Sequence, residues 1–160
     1  MNFDRSCTRT NVGAGVWICN TEKNHTESIS RRLNFQCSNN IAEYESLLLG
    51  LHLLKKLGAK RIKAYGDSES IIRQVNREYN ANHSRLRAYR NDVVDLLNTF
   101  EEYQIIFVPR KRNIAAHNLA FVARTCLTPY STKDCTTEIK FRPAVPDNEK
   151  CWQVFDNEKK

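Results

Sequence analysis

Residues 39–57 constrain this chain more than any other stretch. Asn39-Asn40-Ile41-Ala42-Glu43-Tyr44-Glu45 opens an apolar segment that runs to Leu57. Ile41, Tyr44, Leu48 and Leu51 recur at spacings of three and four and share one helix face, which Leu47 and Leu54 widen. Asn39 or Asn40 is the expected N-cap, because a short amide satisfies free N–H groups of the first turn. Gly58 is the expected stop. Glu43 lies in the first turn, where the helix dipole favours an anion, and alone it is an ordinary helix-start acid.

The flanking segments place that helix in an α/β fold. Phe3-Asp4-Arg5-Ser6 reads as a first strand beginning almost at the first residue. Either a short strand suffices there, or the chain is a fragment lacking a leading half-strand. Val16-Trp17-Ile18-Cys19 is a second strand, and Ile29, Arg31, Leu33 and Phe35 mark one face of a third. Short links make these three an antiparallel meander. After the helix, residues 61–66 form a strand ending at Gly66-Asp67, with Ser68 as N-cap of a short helix. A strand, a crossover helix and another strand give a parallel pair. Leu86, Tyr89, Val93, Leu96, Leu97 and Phe100 mark a second long helix, and residues 103–108 a fifth strand stopped by Pro109. The basic loop Arg110-Lys111-Arg112 precedes a last helix, capped by Asn113, with Leu119, Ala120 and Val122 turned inward. The order predicts one five-stranded mixed sheet flanked by helices over residues 1–124. Pro129, Pro143 and Pro146 among charges make 127–160 a linker or weakly ordered tail.

Composition narrows the function classes. The formal net charge of +7 suits an anionic partner, with nucleic acid the usual candidate. No run approaches the roughly 18 apolar residues of a membrane span, and the start lacks a signal-peptide layout, so an intracellular protein of cytoplasm or nucleus, without a membrane partner, is expected. Six cysteines show no paired CxxC spacing, which leaves a zinc site little support.

Three acids carry the chemistry. Asp4 lies on the first strand and Asp67 just past the fourth; if those strands are neighbours, both reach one edge, and Glu43 leans over it from the helix. Carboxylates brought together in a basic protein repel unless a divalent cation neutralises them. Oxygen donors suit Mg²⁺ or Mn²⁺. Two such ions about 4 Å apart can activate water and stabilise the leaving oxygen of a phosphodiester.

Four segments extend this reading: Phe-Asp-x-Ser near the start, Asn-Asn-Ile-Ala-Glu-Tyr-Glu-Ser-Leu, Gly-Asp-Ser-Glu-Ser-Ile-Ile-Arg-Gln-Val, and Val-Pro-Arg-Lys-Arg-Asn-Ile-Ala-Ala-His-Asn-Leu-Ala. In this order and spacing they resemble the ribonuclease H-like domain of the reverse-transcriptase-like type, as in plant gypsy-class retroelements. The resemblance covers residues 1 to about 124. It implies the five-stranded mixed sheet, cleavage of the RNA strand of RNA–DNA hybrids with two Mg²⁺ ions, and Asp4, Glu43 and Asp67 as metal-binding carboxylates. It also implies a monomeric unit, either stand-alone or part of a larger reverse transcriptase/integrase polyprotein.

Two positions depart from the family pattern. His117 stands where a fourth catalytic acid is expected, as a substitute ligand or as a non-ligating residue at a helix start. Arg5 stands where the family has glycine, and either crowds the hybrid or pairs with a phosphate. A catalytically degenerate nucleic-acid-binding domain is the alternative reading. Arg110, Lys111 and Arg112 are expected to hold phosphates. Asn39 and Asn40 match family positions that contact the hybrid's minor groove, where 2′-hydroxyls distinguish RNA from DNA. Ser6 and Ser68 are candidates to orient ligands or bridge to sugar oxygens. Arg73, Arg77, Arg85, Arg87 and Arg90 form a second basic set, for which a solvated helix face is an equal reading.

Overall fold

The computed structural model describes residues 1–125, 128–132 and 135–146. The elements follow the order β1 (Asn2–Cys7), β2 (Val12–Asn20), β3 (His25–Leu33), α1 (Asn39–Lys56), β4 (Arg61–Gly66), α2 (Glu69–Val75), α3 (Ser84–Leu97), β5 (Glu102–Phe107), α4 (Ile114–Arg124), β6 (Tyr130–Ser131) and β7 (Cys135–Lys140). One sheet runs β5-β4-β1-β2-β3-β7-β6. β1, β2 and β3 form the expected antiparallel meander, and β4 and β5 add in parallel beside β1. Among the described residues the strand count is seven rather than five, because β6 and β7 extend the sheet past β3.

α1 is buried around most of its circumference: every residue from Ala42 to Leu51 is inaccessible. It therefore lies between layers, with β1 and β2 on one side and α3 on the other. Its N-cap is Ser38, not Asn39 or Asn40: the Ser38 hydroxyl accepts from the Ile41 amide at 3.2 Å. Ser38 has the extended backbone that a cap requires, whereas both asparagines are already helical. Gly58, at φ +77°, follows the C-cap Leu57 and takes the left-handed turn that ends the helix.

α4 covers the opposite face. Successive residues of β2 point to opposite sides, so Val16 meets α1 at Gly50 while Gly15 faces α4. A methyl group on Gly15 would lie 2.3 Å from the Ala116 carbonyl and 2.3 Å from the Ala120 amide. One on Gly13 would meet the Ala120 carbonyl at 2.2 Å. Backbone thus rests on backbone, and only small side chains fit between them. Ala116, Ala120 and Ala123 fill that contact, while Val122, expected inward, turns out to solvent with Phe121. Leu119 is partly buried, and its carbonyl accepts from the Ser30 hydroxyl at 2.8 Å.

Part of the segment expected to be a tail belongs to the sheet. Residues 135–140 pair in parallel with β3, from Ser28 opposite Cys135 to Leu33 opposite Lys140. Beyond them Val145 enters the core. The buried Glu45 carboxylate gathers this region: it accepts from the Ala144 amide at 2.7 Å and the Tyr89 hydroxyl at 2.6 Å, with the Lys140 ammonium at 3.7 Å. Arg31 of β3 pairs with Glu138 of β7. Proline content misled the reading because pairing with β3, rather than an apolar pattern, holds this strand. The rest of the expected tail, 126–127, 133–134 and 147–160, lies outside the described residues. Among the described residues no helix is long and apolar enough to cross a membrane.

Two substitutions test these contacts. Gly15→Ala should lower stability by about 2–4 kcal/mol, because backbone rather than a flexible side chain blocks the added methyl; urea unfolding measures it. Tyr89→Phe should cost about 1.5–3 kcal/mol by removing a charge-assisted bond to buried Glu45; thermal denaturation reads the loss.

Candidate metal centre

β1 and β4 are parallel neighbours, so their C-terminal ends open at the same edge of the sheet. Asp4 projects from β1, and Asp67 follows the last residue of β4. Glu43 comes from the beginning of α1, which starts at Asn39. One carboxylate oxygen from each of Asp4, Glu43 and Asp67 lies within 4.8 Å of the others. Acids separated by more than sixty positions thus meet at one point. All three are withdrawn from water, with side-chain exposures of 1%, 2% and 7%.

This proximity is electrostatically costly. Burial, reinforced by the charge of Asp67, pushes the Asp4 carboxyl up to about 6, against the opposing bonds from His117 and the Arg5 amide. Burial, together with Asp4 and Asp67, holds Glu43 well above the carboxylate range, against Arg5 and Arg110. Glu43 Oε1 is buried without a hydrogen-bond partner among the described residues. Hard oxygen donors, mutual repulsion and an orphaned buried oxygen fit a divalent cation of the Mg²⁺ or Mn²⁺ type.

His117 joins the cluster through Asp4: its Nδ1 lies 2.9 Å from Asp4 Oδ2. The docking of α4 sets that distance. Asn113, read from sequence as a cap, occupies the N-cap position but makes no side-chain capping bond. Buried instead against β1, it donates to the Phe3 carbonyl at 2.9 Å and accepts from the Asn2 amide at 3.0 Å. It fastens the start of α4 next to Asp4. A sequence signal for capping hid that second role.

The remaining candidates surround the cluster at different depths. Arg5 Nε lies 3.5 Å from Glu43 Oε2, and Arg110 Nε donates to Asp67 Oδ2 at 3.2 Å. Lys111 and Arg112 are exposed on the 3-10 turn with Arg110. Asn39 and Asn40 are exposed in the first turn of α1. Ser6 is buried on β1, and Ser68 is half-buried at the N-cap position of α2 without a capping bond. Three of the second basic set have structural partners or are buried: Arg73 pairs with Glu69 and Glu78, Arg87 donates to the carbonyls of Ala81 and Asn82, and Arg90 is buried.

Glu43→Gln should raise the stability of the metal-free protein at neutral pH by about 1–2 kcal/mol, or roughly 2–8 °C. The sign follows from a folded-state carboxyl held above its ordinary value of 4.5. Protonation favours the folded wild type, so its disadvantage is absent near pH 4 and develops as pH rises. Melting curves in EDTA across that range measure it.

Comparison with known proteins agrees with this geometry. The reverse transcriptase-like family model matches residues 2–123. Ribonuclease HI of Halobacterium salinarum is 33% identical over 85 residues, covering 53% of this chain and 43% of its own. The chain therefore spans less than half the length of that relative. The N-terminal ribonuclease H domain of Rv2228c from Mycobacterium tuberculosis, solved as a fusion with maltose-binding protein, superimposes with a TM-score of 0.71 at 25% identity, over 76% of this chain and 89% of that one. LC11 ribonuclease H1, solved in complex with an RNA/DNA hybrid, shares the fold with a TM-score of 0.66 at 24% identity, over 77% of this chain and 94% of its own. With its mixed sheet, crossover helix and clustered acids, the chain belongs to the reverse transcriptase-like family and has the ribonuclease H-type fold.

Proposed function

We propose that this chain is a ribonuclease H-type endonuclease that hydrolyses the RNA strand of RNA–DNA hybrids. The observation that carries the reading is the convergence of Asp4, Glu43 and Asp67 within 4.8 Å. The family membership and the hybrid held by a protein of the same fold support it.

Asp4, Glu43 and Asp67 would hold two Mg²⁺ ions, with Mn²⁺ as a substitute. Bound there, such ions supply an activated water and stabilise the leaving oxygen of a phosphodiester. The chain's own residues perform the rest. His117 orients Asp4 through the Nδ1 contact and takes the place of a fourth acid without adding a negative charge. Lys111 and Arg112 face solvent beside the cluster, where they can neutralise phosphates. The exposed amides of Asn39 and Asn40 lie a turn before Glu43 and can read ribose hydroxyls. Ser68, half-buried beside Asp67, can reach a sugar oxygen, while Ser6 is the less accessible of the two serines. The protein acts as a monomer in cytoplasm or nucleus, from a stand-alone gene or within a retroelement polyprotein.

A second reading, a binding domain that no longer cleaves, draws on one observation: an imidazole rather than a carboxylate contacts Asp4. One assay separates the two. A labelled hybrid is incubated with Mg²⁺, with Mn²⁺ and with EDTA. Cleavage should require a divalent ion and fall on the order of a hundredfold or more in Asp67→Asn. His117→Asp should increase the Mg²⁺-supported rate. Absence of cleavage with both ions, together with retained hybrid binding, would establish the second reading instead.

A further inference from the structure

Each carboxylate of the cluster already faces a positive or proton-donating side chain of the protein. Arg5 faces Glu43 from β1, Arg110 reaches Asp67 from the 3-10 turn, and His117 meets Asp4 from α4. Three carboxylates stand against two guanidiniums, so at most one net negative charge is left without any ion.

The Arg5–Glu43 pair is peculiar in its bonding. At 3.5 Å it balances charge. Yet Arg5 Nε and Glu43 Oε1 are both buried without a hydrogen-bond partner among the described residues. An ion pair that leaves a buried donor and a buried acceptor unsatisfied recovers little of the cost of withdrawing those atoms from water. It is a placeholder that a better-coordinating partner can displace. Arg110 differs: its side chain is 62% exposed, so water can solvate the guanidinium once it leaves Asp67.

We propose that Arg5 and Arg110 are resident counter-ions that compete with divalent cations for Glu43 and Asp67, so that loading the site means displacing them. This rests on the reading of the cluster as a metal site. The competition follows from charge: a cation entering between these acids meets two positive groups already paired with them, and must displace them. It loses affinity that three free carboxylates would give. Once displaced, Arg110 lies at the rim of the cluster, where an arriving phosphate can take it as a partner.

The test is Mn²⁺ binding to the full-length metal-free chain, followed by electron paramagnetic resonance, which counts unbound ion and needs no catalysis. Arg5→Gln and Arg110→Gln should each bind Mn²⁺ about three- to tenfold more tightly than wild type. Glu43→Gln should lose that binding and so identifies the site. Arg110 is exposed, so its variant keeps the test valid even if Arg5→Gln disturbs β1. Unchanged or weaker Mn²⁺ affinity in Arg110→Gln, with Glu43-dependent binding present in wild type, overturns the counter-ion proposal and leaves the metal reading standing. Absence of Glu43-dependent binding in wild type and both arginine variants removes the metal reading, and this inference with it. Binding that emerges only in the arginine variants supports it.

Discussion

Repulsion among three buried carboxylates is the constraint around which the rest of this molecule is arranged. Folding must bring Asp4, Glu43 and Asp67 to one point although none gains stability from the others. That is possible because the framework is over-determined elsewhere. α1 is buried from Ala42 to Leu51, and apolar surface removed from water there stabilises by about 25 cal/mol per Å². The position of Glu43 follows from that packing rather than from its own interactions. A carboxylate forced into an unfavourable place by a well-packed scaffold marks a site kept for something other than stability.

The second face of the sheet works by a different rule. Where α1 uses bulk, α4 uses absence: two glycines below and a row of alanines above bring the backbones into contact. The buried amide of Asn113 then closes the join at the end where the acidic cluster lies. Position along α4 leaves little slack, so the imidazole of His117 is delivered to Asp4 with no search.

Much of this was readable in the chain, and the parts that were not have physical causes. The meander and the crossover follow from periodicity and from the parallel-pair rule, because apolar spacing and connection handedness act over long segments, whereas the convergence of acids further requires β1 and β4 to be neighbours, which the sheet order supplies. The cap of α1 was displaced by one residue, since Ser38 and Asn39 are chemically equivalent as caps and only backbone conformation separates them. Val122 was assigned inward on hydrophobicity, but the glycine floor admits nothing larger than a methyl group. The seventh strand carried no alternating pattern at all. Its six residues are all intermediate in burial, and what recruits them is an open edge on β3.

That last strand links two regions that look unrelated. Glu43 and Glu45 stand two residues apart on α1; one enters the acidic cluster, the other grips Ala144 and Lys140. The same turn of helix therefore faces the acidic cluster on one side and is held by the far end of the described chain on the other. A proteolytic nick after α4 would free the second grip, leave a desolvated Glu45 without its amide and ammonium partners, and loosen the very turn that aims Glu43. Damage to a remote extension would be felt as a displaced Glu43 in the acidic cluster, before the sheet itself came apart.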